Sequence, residues 1–299
     1  MTFIAYAQNL EDVMLSRVFK EVEEGFYIDV GAQDPIIESV TKTFYDRGWR
    51  GINIEPVYQF YQRLRADRPE DINLPIAAGA ETGAVPYYEI AGTGLSTLDK
   101  EIADQHAQAG WTVIPRTVSM LPLAAICAQY VTGTIHFLKV DVEGAEQQVL
   151  FGMDFQQYRP WVVVVEATLP LSQAENYAQW EDILRHGGYH YVYFDGLSRF
   201  YVAREKLAEF KDVFAAPPNC FDEYQRYTEY VLQEEKKQLQ QQNLQLTLQN
   251  CVLQEELRKY HTRQRGLVAA DSPGEGATLQ EEIGLLTEQI RTEITRRRG

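Results

Sequence analysis

Gly25-Phe26-Tyr27-Ile28-Asp29-Val30-Gly31-Ala32 is an apolar run that stops at a glycine, and Gly51-Ile52-Asn53-Ile54-Glu55-Pro56 follows about twenty residues later. The aromatic and branched side chains of Phe26 to Val30 favour extended backbone. The glycine after them allows a tight turn that brings backbone N–H groups up to a ligand. A helical stretch from Thr41 to Arg47 leads into the second run. Strand, helix and strand therefore read as a βαβ unit with parallel strands. In such a unit Glu55 emerges beside the first turn, where a carboxylate suits ribose hydroxyls. An ordinary first unit of any α/β domain has the same outline, so Glu55 and the stretches downstream must discriminate.

Dinucleotide enzymes and methyltransferases that bind S-adenosylmethionine share this plan, and the first turn separates them. It reads Gly31-Ala32-Gln33-Asp34-Pro35. The three-glycine phosphate loop is absent, and Asp34 would repel a pyrophosphate at a helix N-terminus. A positively charged cofactor without phosphates fits better.

The 299 residues are 45% hydrophobic and 24% charged, as in a soluble protein with one large domain or two smaller ones. The longest apolar run, Trp161 to Val165, is too short to cross a bilayer, and no basic region precedes an apolar core at the N-terminus. A cytoplasmic location is expected, at the inner face of the membrane where partners hold the protein there. Cys127, Cys220 and Cys251 are widely spaced and suggest neither a disulfide framework nor a zinc site. A net charge of −15 argues against nucleic acid as a partner, because phosphate binding wants a basic surface.

Along the chain, Tyr6-Ala7-Gln8-Asn9 precedes a helix carrying Leu10, Val13, Met14, Leu15, Val18 and Phe19 at helical spacing. Gln8 is a candidate cofactor contact from this entry helix, whose simplest role is packing on the sheet. Asn73 to Ala78 reads as a third strand with Ala78 facing an adenine, Gly79 to Gly83 as a turn, and Val85 to Ile90 as a strand. Gly92 to Thr97 is a small-residue loop. The segment through Ile102 and His106 to Gly110 reads as a helical cover over the pocket, with His106 as a candidate base. Val118 to Ala128 reads as a helix.

His136 to Gly144 is a further buried strand, ending in Asp141 and Glu143, and Trp161 to Val165 is an apolar strand ending in Glu166. Ligands bind at this end of parallel strands in open α/β sheets. Three acids crowd there at a cost unless a proton, a cation or a substrate hydroxyl sits among them, so Asp141, Glu143 and Glu166 are candidate ligands for Mg²⁺. Capping of the next helix explains Asp141 and Glu143 but not Glu166. Asp195-Gly196 between Tyr189–Phe194 and Ser198–Ala203 is a hairpin signal. An antiparallel last strand is a methyltransferase feature rather than a dehydrogenase one.

Tyr6-Ala7-Gln8-Asn9-Leu10-Glu11-Asp12, the two strands quoted first, and Leu138-Lys139-Val140-Asp141-Val142-Glu143-Gly144-Ala145-Glu146 together resemble the FkbM family of S-adenosylmethionine-dependent methyltransferases. Arg159-Pro160-Trp161 and Tyr193 to Leu197 add family-like flanks, and the resemblance runs from about Ala5 to Tyr224. It implies a doubly wound, mostly parallel seven-stranded sheet of the Rossmann-like methyltransferase class. It also implies O-methylation, often of sugars or polyketide hydroxyls. On the matching positions Asp29 and Gly31 would hold the methionine part, Glu55 the ribose, and Asp141 would stand near the transferred methyl. Gln33-Asp34-Pro35 departs from the pattern, since many members have Asn and a second glycine or similar small residues there.

From Glu223 to His261 the chain turns Gln-, Glu- and Leu-rich, without proline or glycine. Leu232, Leu239, Leu246, Leu253 and Tyr260 fall every seven residues, which places Lys236, Asn243, Asn250 and Leu257 at the other seam position of a coiled coil. A solvated single helix is the plainer alternative. The expected organisation is a methyltransferase domain over 1–222, a coiled-coil helix over 223–265, a flexible linker over 266–277 and a second helix over 278–299. A homo-oligomer follows from the coil, with a glycan as substrate and glycosyltransferase machinery as a partner. An NAD-type oxidoreductase and an inactive scaffold are the alternatives. The cofactor turn disfavours the first, and the acids at strand ends disfavour the second. For chemistry, Asp141 and Glu166 are the candidates to activate a hydroxyl, directly or through Mg²⁺.

Overall fold

The structure is a computed structural model that describes residues 3–268 and Gly284. It falls into two compact units, one ending at Tyr230 and one beginning at Val231. The first opens with β1 (Phe3–Ala5), α1 (Glu11–Val18), β2 (Phe26–Val30), α2 (Lys42–Asp46), β3 (Arg50–Ile54), α3 (Tyr58–Asp67) and β4 (Ile72–Leu74). Next come β5 (Ala77–Gly79), β6 (Gly83–Ile90), α4 (Lys100–Gln108), β7 (Val113–Pro122) and α5 (Leu123–Tyr130). Then follow β8 (Phe137–Val140), α6 (Glu146–Phe151), β9 (Val162–Glu166), α7 (Glu181–His186), β10 (Tyr189–Phe194), β11 (Ser198–Ala203), α8 (Leu207–Phe210) and β12 (Tyr224–Arg226). The last helix is α9 (Tyr227–Val268).

The large sheet has seven strands in the order β10-β11-β9-β8-β2-β3-β4. Neighbours from β9 to β4 are parallel, whereas β11 is antiparallel to both β9 and β10. The four valines of β9 explain why the sheet needs cover on both faces. Val163 and Val165 pack with Ile28, Leu138, Ile126, Val149 and Leu184, and Val162 and Val164 pack with Tyr27, Phe137, Leu15, Phe44 and Phe210. A strand wholly buried on both faces is apolar throughout, and each such side chain contributes about 1.5–3 kcal/mol relative to exposure.

Three expectations from the sequence need correction. Asn73 to Ala78 is not one strand. Pro75 lacks an N–H and divides it, so β4 closes the large sheet while β5 joins a separate three-stranded sheet in the order β5-β7-β6. Val118 to Ala128 is helical only from Leu123. The branched residues Val113, Ile114, Thr117 and Val118 extend β7 along β6, and Pro122 then starts α5. The boundary at 222 falls too early, because Tyr224–Arg226 pairs in parallel with Phe3–Ala5 and the helix begins at Tyr227.

The expected joint at Gly266 is helical as far as Val268. The rest of that linker and, apart from Gly284, the expected second helix lie outside the described residues. On α9 the residues expected to form a seam, Leu232, Leu239, Leu246, Leu253 and Tyr260, are all exposed. Among the described residues no helix is long and apolar enough to cross a membrane.

Candidate active site

The C-terminal ends of β2, β3, β8 and β9 open onto a cavity of about 440 Å³. Asp29 on β2 pairs in register with Asn53 on β3 and Lys139 on β8, so polar side chains meet in the middle of an apolar sheet. Thr41 donates a hydrogen bond of 2.7 Å to Asp29 Oδ2, and Lys139 Nζ lies 3.5 Å from Oδ1. Behind Thr41 stands Arg68, fully buried, whose guanidinium donates to Thr41 at 2.6 Å and to Ser39 and the Pro35 carbonyl. Both carboxylate oxygens of Asp29 thus have a fixed neighbour. Lys139 also reaches Asp141 Oδ2 at 3.2 Å and the Gly31 carbonyl at 3.1 Å. Burial opposes its charge, but Asp141 and Asp29 outweigh burial and hold the ammonium above its ordinary value.

Gly31 takes φ +77°, and a Cβ built there would lie 1.8 Å from the Asp141 carbonyl oxygen. Only glycine lets β2 turn so close to β8. The turn does not, however, offer its first N–H groups to a ligand as the sequence suggested, since Gly31 and Ala32 both donate to the Ile54 carbonyl, at 3.0 and 3.3 Å. Glu55 accepts from the N–H of Gln33 at 2.9 Å and of Val57 at 2.7 Å. Burial pushes its carboxyl up to about 7 against those two hydrogen bonds. Asp34 faces away from the cavity. One of its oxygens accepts from the N–H groups of Ile36 and Ile37, and the other pairs with Arg63.

At the ends of β8 and β9, one oxygen each from Asp141, Glu143 and Glu166 lie within 4.8 Å of one another. Glu143 sits at φ +54°, a strained conformation for a residue with a side chain. One buried oxygen of Glu143 and one of Glu166 have no hydrogen-bond partner. Burial, reinforced by Asp141, pushes Glu143 up to about 8, and burial with Asp141 and Glu143 raises Glu166 well above the carboxylate range. The simple capping role belongs to neither Asp141 nor Glu143. No side chain caps α6; Glu146, its first residue, instead ties down the turn before it, accepting from Val142 and Gly144 N–H at 3.3 and 3.0 Å.

Residues 29–191 match the methyltransferase FkbM domain. The chain belongs to the FkbM methyltransferase family. The match begins at Asp29 itself and ends within β10, so it takes in every strand end that opens onto the cavity. No curated protein matches the chain.

Within this FkbM domain and its N-terminal flank, the cavity collects Gln8, Asp29, Gly31, Glu55, Ala78, Asp141, Glu143 and Glu166. His106 is not among them, which corrects its assignment as a base. It points into the packing of α4, 5% exposed, with Nε2 unpartnered and its pKa lowered by burial. α4 itself packs on the turn after β8, where a Cβ on Gly144 would meet Ile102 Cδ1 at 2.4 Å. Thr97 ties the preceding loop to the same turn through the Glu143 carbonyl at 2.7 Å.

Among the lining residues that carry no assignment from sequence are Phe60, Tyr87, Trp111 and Lys139. Lys139 had a signal, being the one charged residue of an apolar central strand opposite Asp29. The aromatics come from α3, β6 and the turn after α4, and only tertiary structure brings them to the cavity.

Proposed function

We propose that this FkbM protein is an S-adenosylmethionine-dependent O-methyltransferase that acts on a hydroxyl of a glycan or polysaccharide. The observation that carries the reading is the donor set around the cavity: carboxylates at four strand ends, with the first-turn N–H groups already bonded to Ile54. A pyrophosphate finds no cradle there, which favours the reading over an NAD-type oxidoreductase. Buried, unpartnered acid oxygens favour it over an inactive scaffold, since a scaffold gains nothing from them.

The residues fit the cofactor. The volume lies in the range of small-molecule sites, and the donor set attracts a cation. Asp29 and the Gly31 turn would hold the methionine portion, Glu55 the ribose hydroxyls, and Gln8 and Ala78 the flanks. S-adenosylmethionine supplies a methyl group on a positively charged sulfur. The acceptor oxygen must be held in line at about 3–3.5 Å and relieved of its proton. Asp141 and Glu166 can take that proton directly, or hold a cation that makes the hydroxyl more acidic. Trp111, 42% exposed on the cavity wall, offers an apolar plate for the C–H face of a sugar.

Calorimetry tests the cofactor. S-adenosylmethionine should bind the parent, and Glu55→Ala should weaken binding by about 1.5–3 kcal/mol, the worth of hydrogen bonds to a charged group. Because Glu55 titrates at about 7 in the fold, its acceptor form grows as pH rises, so affinity should strengthen from pH 6 to pH 8. The folded value lies above the unfolded one. The stability this group contributes is therefore fully present below about 4.5 and lost as pH climbs through about 7. Heat with NAD and none with S-adenosylmethionine would transfer the protein to the oxidoreductase class.

The second part of the reading concerns α9. Its 42 residues span about 63 Å, and its exposed leucine seam is what two or three copies bury in a coiled coil. We propose homo-oligomerisation through this seam, with the helix holding the enzyme at a set distance from glycosyltransferase machinery at a glycan end. Leu246→Lys with Leu253→Lys should convert an oligomer into a monomer in light scattering while methylation of a free acceptor survives. An unchanged mass would remove the seam from the interface.

A further inference from the structure

Asp141, Glu143 and Glu166 gather at the cavity in a way that the two uses already described leave unexplained. Glu146 bonds the N–H groups of the turn before α6, and Lys139 reaches Asp141 alone of the three. One oxygen of Glu143 and one of Glu166 remain buried without a partner, and Glu166 is only 8% exposed. An unpaired carboxylate oxygen of that kind is stable only if something positive or a proton donor meets it. Asp29, Asp141, Glu143 and Glu166 share this corner with the single ammonium of Lys139, so Glu143 and Glu166 can be ionised together with Asp141 only where further positive charge joins them.

From these contacts we infer that Asp141, Glu143 and Glu166 form a divalent-cation site, of the Mg²⁺ or Mn²⁺ class, that faces the acceptor hydroxyl. The inference rests on the methyl-transfer reading for its purpose, not for its geometry. Hard oxygen donors with no histidine or thiolate among them select these ions over zinc or copper. A Mg²⁺ ion holds oxygens at about 2.0–2.1 Å, so opposite ligands stand about 4.2 Å apart. Side-chain shifts of a few tenths of an ångström close the present 4.8 Å spread to that value. Asp141 retains 36% side-chain exposure toward the cavity, which leaves positions for water and for an acceptor oxygen, as Mg²⁺ sites commonly do.

The site assigns a role to the strained turn. Glu143 holds its positive φ in the same turn that places one of its carboxylate oxygens beside those of Asp141 and Glu166. Chemically, a cation there makes the acceptor hydroxyl more acidic. Its O–H bond breaks with the proton passing to water, and a new O–C bond forms to the methyl. The C–S bond breaks with its electron pair left on sulfur, which turns the sulfonium into a neutral thioether.

Titration of the EDTA-stripped, full-length chain with Mn²⁺ alone, followed by electron paramagnetic resonance, tests the site. One Mn²⁺ per chain should bind below millimolar concentration, Mg²⁺ should displace it, and Glu166→Gln should weaken it at least tenfold. Asp141→Asn should do the same, and a thermal melt of each variant shows whether it is folded. Parent protein that binds no Mn²⁺ below millimolar concentration, or folded Glu166→Gln that binds it as well as the parent, overturns the inference. Methyl transfer at full rate after EDTA stripping also overturns it while leaving the methyltransferase reading intact. Failure to bind S-adenosylmethionine with or without Mn²⁺ would strike that reading instead, and the Mn²⁺ stoichiometry would still judge the site.

Discussion

Gly31→Ala is expected to lose S-adenosylmethionine binding and to lower the melting temperature by on the order of 10 °C. Two costs add at this position. A side chain at φ +77° stores about 1–3 kcal/mol of backbone strain. The new Cβ would also meet the Asp141 carbonyl oxygen at 1.8 Å, a backbone atom that moves only if β8 moves. Overpacking of that kind costs about 1–3 kcal/mol more, and in a domain of this size each kcal/mol shifts the melting temperature by about 2–4 °C. Gly48→Ala is the control. It shares the left-handed backbone, at φ +96°, but nothing lies within 4 Å of the added carbon. It should cost about 1 kcal/mol and leave ligand binding unchanged. Equal melting temperatures for the two variants would mean that the close approach of β2 to β8 is not what glycine serves.

Lys139→Met should cost about 3–5 kcal/mol in urea unfolding at pH 7, with the denaturant slope unchanged. The methionine fills much of the same volume, so the loss measures charge rather than packing. Lys139 stands between Asp29 and Asp141, and removing one partner of a buried ionic group leaves the others uncompensated. The sign of its own titration agrees. Its value in the fold is raised above that of an ordinary lysine, so its stabilisation is fully present at neutral pH and would be lost only in strong alkali. A loss below about 1 kcal/mol would show that the two carboxylates do not depend on this ammonium. Binding should fall as well, because Asp29 loses the neighbour that fixes one of its oxygens.

The elements that were legible in the sequence are those whose signal is short and local. Phe26 to Val30 and Trp161 to Val165 are dense in residues that favour strands, and each ends in a glycine or an acid that stops the pattern. Glu55, Asp141 and Glu166 inherit their places from those strands, because a residue at the end of a parallel strand can only emerge on one side of the sheet. β7 shows the converse. Its branched residues run into a helical stretch, and the pairing with β6 that keeps it extended is visible only in three dimensions.

His106 and Lys139 show the limit from opposite sides. A histidine on an amphipathic cover looks like a base, yet α4 turns that face into its own packing. A lysine inside an apolar strand looks like an anomaly until register places Asp29 beside it. The parallel pair of β1 with β12 joins residues more than two hundred positions apart, at the very point where composition alone suggested a domain boundary.

By itself the sequence determined the βαβ opening, the acids at the strand ends, the antiparallel close of the sheet and the long last helix, since each rests on spacing within one segment. It also carried the family, because several such segments occur in order. Tertiary structure alone decided which acids face one another, which oxygens remain unpartnered, and that the Gly31 and Ala32 N–H groups belong to Ile54. Those are matters of distance between segments far apart in the chain, and the balance of burial against pairing that sets them exists only once the segments have met.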